Sequence, residues 1–347
     1  MPALMNGHSH RFPAPPRAPR GRYAPSPTGP IHLGNARTAL VAWLSVRSRG
    51  GAFLWRLEDI DTPRVVPGMA EAQQADLAWL GLDWDEGVSV QSQRTAFYEE
   101  ALDRLAAAGR LFPCRRSRKD LQALASAPHG PETGAPYPAS FRPQHLEPGW
   151  YEELKTAGHP DAAGAAIRFR VDDRPVEWTD RVYGPRVERV DETVGDFVLK
   201  RRDGLYAYQL AVVVDDLAMG IDDVVRGADL LDSTARQIQL LEALGGTRPA
   251  YAHVPLVVSP EGEKLSKRDG GLSLASLRSE GVTPEELTGR LAASLGLLDR
   301  PEPCRPVDLV PLFGWEKILR SPWVCPSARG RSRPDRDPSV PSTTPES

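Results

Sequence analysis

The sequence predicts an α/β protein built on a doubly wound parallel sheet, with an inserted subdomain and a short helical C-terminal segment. Three observations support this fold class. Residues 21–57 form a strand–helix–strand pattern with short links. The continuous apolar run at 207–214 is typical of a central strand that is buried on both faces. The Pro- and Gly-rich stretch 127–149 interrupts the pattern between them as an irregular insert.

The first half of the predicted core comprises residues 21–110. It contains strands at 21–26 and 52–57, a helix that begins at Pro30, and helices at 67–80 and 94–108. Apolar residues recur at spacings of three and four after Pro30, which is the helical period, and Gly50-Gly51 ends that helix. Glycines also end the two later helices, so the boundaries of all three are marked.

The rest of the chain divides into an insert, a second half of the core and a C-terminal piece. The insert is predicted at 111–195, with a strand at 166–171. The second half of the core is predicted at 196–271, with strands at 196–200 and 207–214 and a helix at 230–244. Residues 272–325 hold helical patterns, whereas the extension 1–20 and the tail 326–347 have the composition of disordered segments.

Composition excludes several classes of protein. The 347 residues are 40% hydrophobic and 26% charged, as in ordinary globular domains. A net charge of -3 argues against bulk electrostatic binding of nucleic acid, so any contact with RNA must use a local basic surface. Three widely spaced cysteines form no disulfide framework, which favours a reducing cytoplasm. No apolar run approaches the roughly 18–20 residues that cross a bilayer.

A motif near the start, residues 26–35, predicts a phosphate-binding turn. It places His32 and Gly34 after a Pro-Thr-Gly-Pro turn, with His32 expected one turn into the helix. Backbone N–H groups at a helix start favour an anion, and an imidazole can donate to a phosphate oxygen. Gly34 leaves room for a nucleotide to approach the backbone. Alone, a His-x-Gly pair would more often be a simple capped turn.

A second motif, residues 261–271, carries Lys264 and Lys267 between glycines. Two ammonium groups on such a loop can stabilise the negative charge that builds on a pyrophosphate leaving group. A solvated charged loop is the usual alternative for a lysine-rich turn. Leu265 and Ser266 lie between the two lysines and argue against that alternative.

Together the two motifs resemble the ATP-binding elements of class I aminoacyl-tRNA synthetases. Further stretches are similar to the glutamyl synthetases of that class, and the resemblance as a whole covers residues 22–323. The similar stretches are 22–29, 56–62, 79–87, 91–94, 208–216 and 225–230. The resemblance implies a Rossmann-like catalytic core that uses ATP, with Mg²⁺ escorting the phosphates. It also implies catalytic roles for His32, Lys264 and Lys267, and ATP contacts from His32, Gly34 and Lys267.

The same resemblance places L-glutamate against eight residues: Arg22, Tyr23, Ala24, Pro25, Ser26, Glu58, Tyr208 and Arg226. Two arginines could each form a forked pair with a carboxylate, and Glu58 could hold the amine. A neutral glutamine would leave one guanidinium unpaired, so such a pocket could reject it. Any one of these residues alone would more often belong to a structural ion pair.

After Gly271 only 272–325 is predicted to be ordered, which leaves no room for the helical anticodon-binding domain of a full glutamyl-tRNA synthetase. The chain therefore resembles the short paralogues of that family, which activate glutamate without tRNA and attach it to queuosine in the anticodon loop of tRNA(Asp). The implied partners are L-glutamate, ATP and queuosine-containing tRNA(Asp), with no membrane, and the chain is expected to be a monomer. A truncated glutamyl-tRNA synthetase that charges the tRNA 3′ end and a non-catalytic tRNA-binding module remain alternatives.

The insert departs from the family pattern, which holds zinc through a Cys-x-Cys pair, a tyrosine and a third cysteine. Cys114 and Tyr137 are present, but Arg116 and Phe141 occupy the other two positions. Even with His129, one thiolate and one phenol do not build a closed tetrahedral site. The sequence therefore predicts no metal site and no structural zinc.

Overall fold

A computed structural model of the chain describes residues 18–116, 136–156, 164–263 and 273–325. The strands are β1 Arg20–Tyr23, β2 Ala52–Leu57, β3 Asp85–Val90, β4 Leu111–Cys114, β5 Ala166–Phe169, β6 Pro175–Asp180, β7 Gly184–Arg189, β8 Phe197–Lys200, β9 Asp223–Gly227, β10 Ala250–Val254, β11 Val257–Val258 and β12 Trp323–Val324. The helices are α1 Leu33–Arg47, α2 Met69–Leu80, α3 Thr95–Ala107, α4 Trp150–Thr156, α5 Val190–Thr193, α6 Tyr208–Ala218, α7 Thr234–Ala243, α8 Leu274–Ser279, α9 Pro284–Leu295 and α10 Pro306–Leu309.

The main sheet has the strand order β3-β2-β1-β9-β10-β6-β7. All neighbouring pairs are parallel except the last, in which β7 runs antiparallel to β6. The chain builds outward from β1 through β2 to β3, and later resumes on the other side of β1 with β9. This reversal of strand order is a topological switch point, where open α/β sheets bind their ligands at the carboxyl ends of the strands.

Helices cover both faces of this sheet because its strands are apolar on both faces. Phe53 and Trp55 of β2 belong to one hydrophobic cluster, which includes the buried residues of α1 and α9. Leu54, between them, belongs to a second cluster with α3 and α6. Successive side chains of a strand point to opposite faces, so the two clusters are the two layers of a doubly wound fold. The predicted α/β architecture is confirmed.

The apolar run predicted as a central strand at 207–214 is instead the start of helix α6. Seven of these eight residues are apolar, and such a run fits a buried strand or a buried helix equally well, so periodicity does not separate the two. Helix α6 packs against α3 and α7, which buries Leu210, Val213 and Val214 in the second cluster. The helix continues to Ala218, so the assignment as a strand was wrong.

The predicted boundary of the insert at 195 does not match the sheets. Strand β8 forms within 196–200 as expected, but it pairs antiparallel with β5, and β5 pairs with β4. It therefore belongs to the sheet of the insert and not to the second half of the core. Conversely, β6 and β7 lie within 111–195 yet extend the main sheet beside β10.

Backbone pairing, in addition to packing in the first cluster, joins the C-terminal part of the chain to the core. Strand β12 pairs in parallel with β11, with Trp323 opposite Val257 and Val324 opposite Val258. Ser273, the N-cap of α8, forms an isolated bridge with His32. Residues on both sides of 264–272 are therefore attached close to the first turn of α1.

Candidate active site

A cavity opens at the carboxyl ends of β1 and β9, at the switch point of the sheet. Nine of the residues that the sequence predicted for the site line it: Arg22, Tyr23, Ala24, Pro25, His32, Gly34, Glu58, Tyr208 and Arg226. Ser26 lines a neighbouring groove, which the cavity joins at Glu58 and Tyr208. Lys264 and Lys267 lie outside the described residues, and their predicted roles stay predictions.

Arg22 is already paired with a carboxylate. Its side chain is buried, and its Nε and Nη2 donate to Asp216 Oδ1 and Oδ2 at 2.9 and 3.2 Å. The third contact runs from Nη1 to the carbonyl oxygen of Val225 at 3.3 Å. This forked pair neutralises Arg22 within the protein.

A second arginine, Arg56, connects the same carboxylate to Glu58. It is fully buried, and it donates from Nη1 to Asp216 Oδ1 at 2.6 Å and from Nη2 to Glu58 Oε1 at 3.0 Å. Burial raises the pKa of Asp216, but Arg22 and Arg56 lower it by more, so the carboxyl is ionised. Burial raises the pKa of Glu58, and Arg56 opposes that rise. A further cation beside Glu58 would favour its ionised form, which suits the binding of an ammonium group.

Arg226 differs from Arg22 because its hydrogen-bond partners are neutral. It donates to His253 Nε2 at 3.0 Å, to Gln237 Oε1 at 2.6 Å and to Thr234 Oγ1 at 3.0 Å. Thr234 and Gln237 lie three residues apart at the start of α7 and therefore share one face of that helix. The guanidinium is 5% exposed and fixed from two sides.

The free donors of Arg226 match a carboxylate. A guanidinium has five N–H donors, and these three contacts use the one on Nε and one on each terminal nitrogen. One N–H therefore remains on each terminal nitrogen, which is the number that a forked pair requires. Because no carboxylate among the described residues contacts Arg226, an anionic ligand would be the first to do so.

His32 is the N-cap of α1 rather than a residue one turn inside it, which corrects the expected position. Its Nδ1 accepts from the backbone N–H groups of Gly34 at 3.1 Å and Asn35 at 3.4 Å. In a neutral imidazole the proton must then be on Nε2, which makes that atom a donor. A Cβ at Gly34 would lie 3.1 Å from the imidazole ring, so the glycine also leaves space for His32.

Several residues of the site were not among those predicted. Arg56, Asp216, Thr234, Gln237 and His253 support the predicted residues from behind the cavity. The sequence did contain a signal for two of them, because Arg56 and Asp216 are charges within apolar runs and such charges need buried partners. The other three are ordinary polar residues, whose role depends on tertiary contacts.

The groove beside the cavity is basic. Five arginines line it: Arg64, Arg116, Arg168, Arg201 and Arg202. Among the described residues of its lining, the acidic ones are Glu58 and Asp61. The whole chain has a net charge of -3, so this concentration of arginine is local. Such a surface attracts a polyanion that approaches the cavity.

The described part of the insert does not fit a zinc ion. Cys114 Sγ lies 3.5 Å from the hydroxyl oxygen of Tyr137, and both residues are buried. The guanidinium of Arg116 lies 3.8 Å from the ring centroid of Phe141, and that of Arg168 lies 4.1 Å from the ring of Tyr137. Two cations against these aromatic faces would repel a metal ion, and they link the same segments of chain by cation–π contacts.

We expect that purified, chelator-washed protein holds no stoichiometric zinc and that its melting temperature does not change when chelator is added. The double substitution Arg116→Cys with Phe141→Cys should create a zinc site, because it restores three thiolates and a phenol around one point. Metal content by mass spectrometry and melting curves with and without zinc measure both effects. One tightly bound zinc in the unaltered protein would refute the expectation.

The sequence is similar to a known protein family and to named members of it. The profile of the family described as tRNA synthetases class I (E and Q), catalytic domain, matches residues 19–302. Glutamyl-Q tRNA(Asp) synthetase from Symbiobacterium thermophilum is 48% identical over 316 residues, which are 88% of this chain and 96% of that protein. The protein of the same name from Nitratidesulfovibrio vulgaris is 46% identical over 316 residues, or 89% of this chain and 96% of that protein.

Solved structures of glutamate tRNA ligases share the fold of this chain. A glutamate tRNA ligase from Elizabethkingia meningosepticum, solved in complex with its amino acid, superposes with a TM-score of 0.77 at 29% identity. The superposition covers 89% of this chain and 67% of the ligase. Among the described residues, no helix has the length and apolar character that crossing a membrane requires.

Proposed function

The chain belongs to the family of class I tRNA synthetases (E and Q), and we propose that it activates L-glutamate with ATP, without tRNA, and transfers the glutamate to queuosine in the anticodon loop of tRNA(Asp). The protein is an enzyme of the aminoacyl-tRNA synthetase type. Relatives named glutamyl-Q tRNA(Asp) synthetase are 41–50% identical over aligned segments of 267–317 residues, whereas two glutamate tRNA ligases of known structure are 29% identical over 89% of this chain, and this difference supports the proposed acceptor.

One observation carries the proposal: the cavity places a carboxylate and a guanidinium without a carboxylate partner around the same space. Glu58 can accept the ammonium of an amino acid, and Arg226 can form a forked pair with a carboxylate. His32 lies in the same wall, at a helix start that favours phosphate. Glutamate satisfies all three groups, because its ammonium can pair with Glu58 and its side-chain carboxylate with Arg226, while its α-carboxylate is left to react with a nucleoside triphosphate beside His32.

The activation step requires no protein nucleophile. An oxygen of the α-carboxylate of glutamate attacks the α-phosphorus of ATP, and the bond to the β-phosphate oxygen breaks. The products are glutamyl-adenylate and pyrophosphate. Arg226 and Glu58 orient glutamate, and His32 donates its Nε2–H to a phosphate oxygen as charge develops there.

In the transfer step, a hydroxyl of the cyclopentenediol ring of queuosine attacks the carbonyl carbon of the adenylate. An ester forms, AMP leaves with the electron pair of the broken bond, and the phosphate of AMP takes up the proton of the hydroxyl. The groove lined by arginines joins the cavity at Glu58 and Tyr208, so an RNA backbone held there could deliver a splayed base to the adenylate.

Magnesium is the metal that ATP brings to such a reaction. The described residues contain no group of three or more His, Cys, Asp or Glu side chains that could hold a metal ion. This fits Mg²⁺ chemistry, because that ion binds largely through substrate phosphates and water and needs only one or two carboxylates. Asp229, in the cavity wall, offers such a carboxylate. When bound, the ion would neutralise phosphate charge.

Glutamate-dependent exchange of pyrophosphate into ATP, measured with and without tRNA, tests the activation step. Exchange in the absence of RNA supports the proposal, whereas a strict requirement for tRNA would favour the synthetase that charges the 3′ end. Failure of exchange under both conditions would leave a tRNA-binding module without catalysis.

The acceptor is tested with tRNA(Asp) that lacks its terminal adenosine, prepared with either queuosine or guanosine at the modified position. Labelled glutamate should attach to the queuosine form and not to the guanosine form. Labelling that requires the terminal adenosine would show that the acceptor is the 3′ end.

Asparagine in place of His32 should separate the two functions of that residue. Asparagine is as good an N-cap as any residue, so we expect the free energy of unfolding to stay within about 0.5 kcal/mol. It has no donor in the position of Nε2, so the rate of pyrophosphate exchange should fall by about 10²–10³-fold. His32→Ala, the matched control, should lose the cap as well and unfold at a lower temperature. Equal rates for His32→Asn and the unaltered enzyme would exclude the donor role.

A further inference from the structure

Arg226 is held by a chain of buried hydrogen bonds that runs away from the cavity. Its Nε donates to His253 Nε2 at 3.0 Å, and His253 Nδ1 donates to Asp180 Oδ2 at 2.6 Å. His253 and Asp180 are 0% and 1% exposed. Neither belongs to the residues that line the cavity, whereas Arg226 does, so Arg226 is the side chain that connects them to a ligand there.

The sheet topology explains why these three residues meet. Strands β9, β10 and β6 are neighbours, and the parallel register pairs Arg226 with His253. Strand β6 ends at Asp180, beside β10. Residues in register on neighbouring strands point to the same face, and so do residues two apart on one strand. Asp180 is in register with Tyr251, two positions before His253, so all three side chains lie on one face of the sheet.

Hydrogen-bond chemistry fixes the tautomer of His253. A guanidinium N–H can only donate, so Nε2 must be an acceptor, and the single proton of a neutral imidazole must be on Nδ1. Asp180 accepts that proton and so holds this tautomer. Burial lowers the pKa of His253 although Asp180 opposes the change, which keeps the ring neutral.

The imidazole also determines how much charge Arg226 retains for a ligand. Arg22 has a carboxylate in direct contact and is neutralised by it. In the case of Arg226 a neutral ring stands between the guanidinium and the carboxylate of Asp180. The contact orients Nε without occupying the two donors on the terminal nitrogens.

We propose that Asp180 and His253 are positioning residues for glutamate: Asp180 sets the tautomer of His253, and His253 holds Arg226 oriented and available for a substrate carboxylate. The proposal rests on the proposed function, because it requires that Arg226 binds glutamate.

Substitution of His253 by each of the two amide residues separates the contact of Nε2 from the contact of Nδ1. His253→Gln keeps an oxygen near the position of Nε2 that can accept from Arg226, but it loses the contact with Asp180. His253→Asn keeps an amide near the position of Nδ1 that can donate to Asp180, but it leaves Arg226 Nε without an acceptor. We expect His253→Asn to raise the KM for glutamate by about 10- to 100-fold, and His253→Gln to raise it by no more than about 3-fold.

A substitution of Asp180 tests the tautomer. Asp180 Oδ1 accepts from the backbone N–H groups of Val182 and Tyr183, both at 2.9 Å. In Asp180→Asn the amide oxygen must take that position, so the NH₂ group faces His253 Nδ1. The imidazole proton then moves to Nε2, where it opposes Arg226 Nε–H. The KM for glutamate should rise by about 10- to 100-fold, whereas in the His253→Gln background the same substitution should change it by less than about 3-fold.

Pyrophosphate exchange with varied glutamate and varied ATP measures all variants, and melting curves show whether each is folded. In the supporting result, the KM for glutamate changes while kcat and the KM for ATP stay within about 3-fold of the unaltered enzyme. Equal KM values for His253→Asn and His253→Gln, or an undiminished effect of Asp180→Asn beside His253→Gln, would overturn the proposal. If the unaltered enzyme shows no exchange at all, the proposed function fails instead, so the two failures are distinguishable.

Discussion

Replacement of Arg226 by alanine should lower kcat/KM for glutamate by about 30-fold to several thousand-fold in pyrophosphate exchange. This range corresponds to the loss of about 2–5 kcal/mol when one partner of a buried, hydrogen-bonded charge pair is removed. Arg226 is 5% exposed and its three partners are neutral, so none of its hydrogen-bond partners within the described part of the chain compensates its charge. The KM for ATP should change little, because Arg226 is assigned to the amino acid.

Two further substitutions make this expectation specific. Arg226→Lys keeps the charge but not the planar fork, so it should recover only a small part of the lost activity. Arg248→Ala removes an arginine whose side chain is 38% exposed and pairs with Glu242, and activity should be unchanged. Full activity of Arg226→Ala would exclude Arg226 from the glutamate site.

The largest effect on stability is expected at Arg56. Arg56→Met should lower the free energy of unfolding by about 3–5 kcal/mol, because it leaves Glu58 and Asp216 buried without their shared cation. Asp215, whose carboxylate lies 3.9 Å from Arg56 Nε, would also lose part of the positive charge that balances its own negative charge. Chemical denaturation, or the shift of the melting temperature, measures the change.

An exposed ion pair provides the control for this expectation. Arg300 and Glu302 have side chains that are 81% and 57% exposed, so Arg300→Met should change the free energy of unfolding by less than about 0.5 kcal/mol. If Arg56→Met were equally mild, the buried charges would have to be compensated by water or by protonation of Glu58.

Sequence patterns predicted the elements that follow each other closely along the chain. The first strand, helix and second strand follow each other with short links, and all three were found close to the predicted bounds. Helix α6 was missed because the run at 207–214, apolar apart from Gln209, contains no period that excludes a strand. Strand β8 was found, but its partner β5 lies about thirty residues earlier in the chain, and the choice of partner depends on tertiary contacts.

The sequence predicted which residues of the site lie together, but not which partners they contact. The resemblance gathered Arg22, His32, Glu58 and Arg226, and the structure brings them to one cavity, while their individual roles remain predictions. The resemblance gave Arg22 and Arg226 the same role of binding a substrate carboxylate, whereas their hydrogen-bond partners in the structure differ. Arg22 is neutralised by Asp216, which follows it by 194 positions, and no local pattern reveals such a partner.

The pairing of β12 with β11 matters for anyone who designs an expression fragment. The match to the family profile ends at residue 302, yet Trp323 and Val324 lie beyond that point and pair with the strand whose Val257 lines the cavity. Ile318 and Cys325 also pack into the first cluster. A fragment trimmed to the boundaries of the profile match would therefore lack the strand that supports one wall of the cavity. A low yield or a low turnover rate of that fragment would not measure the stability or the activity of the natural chain.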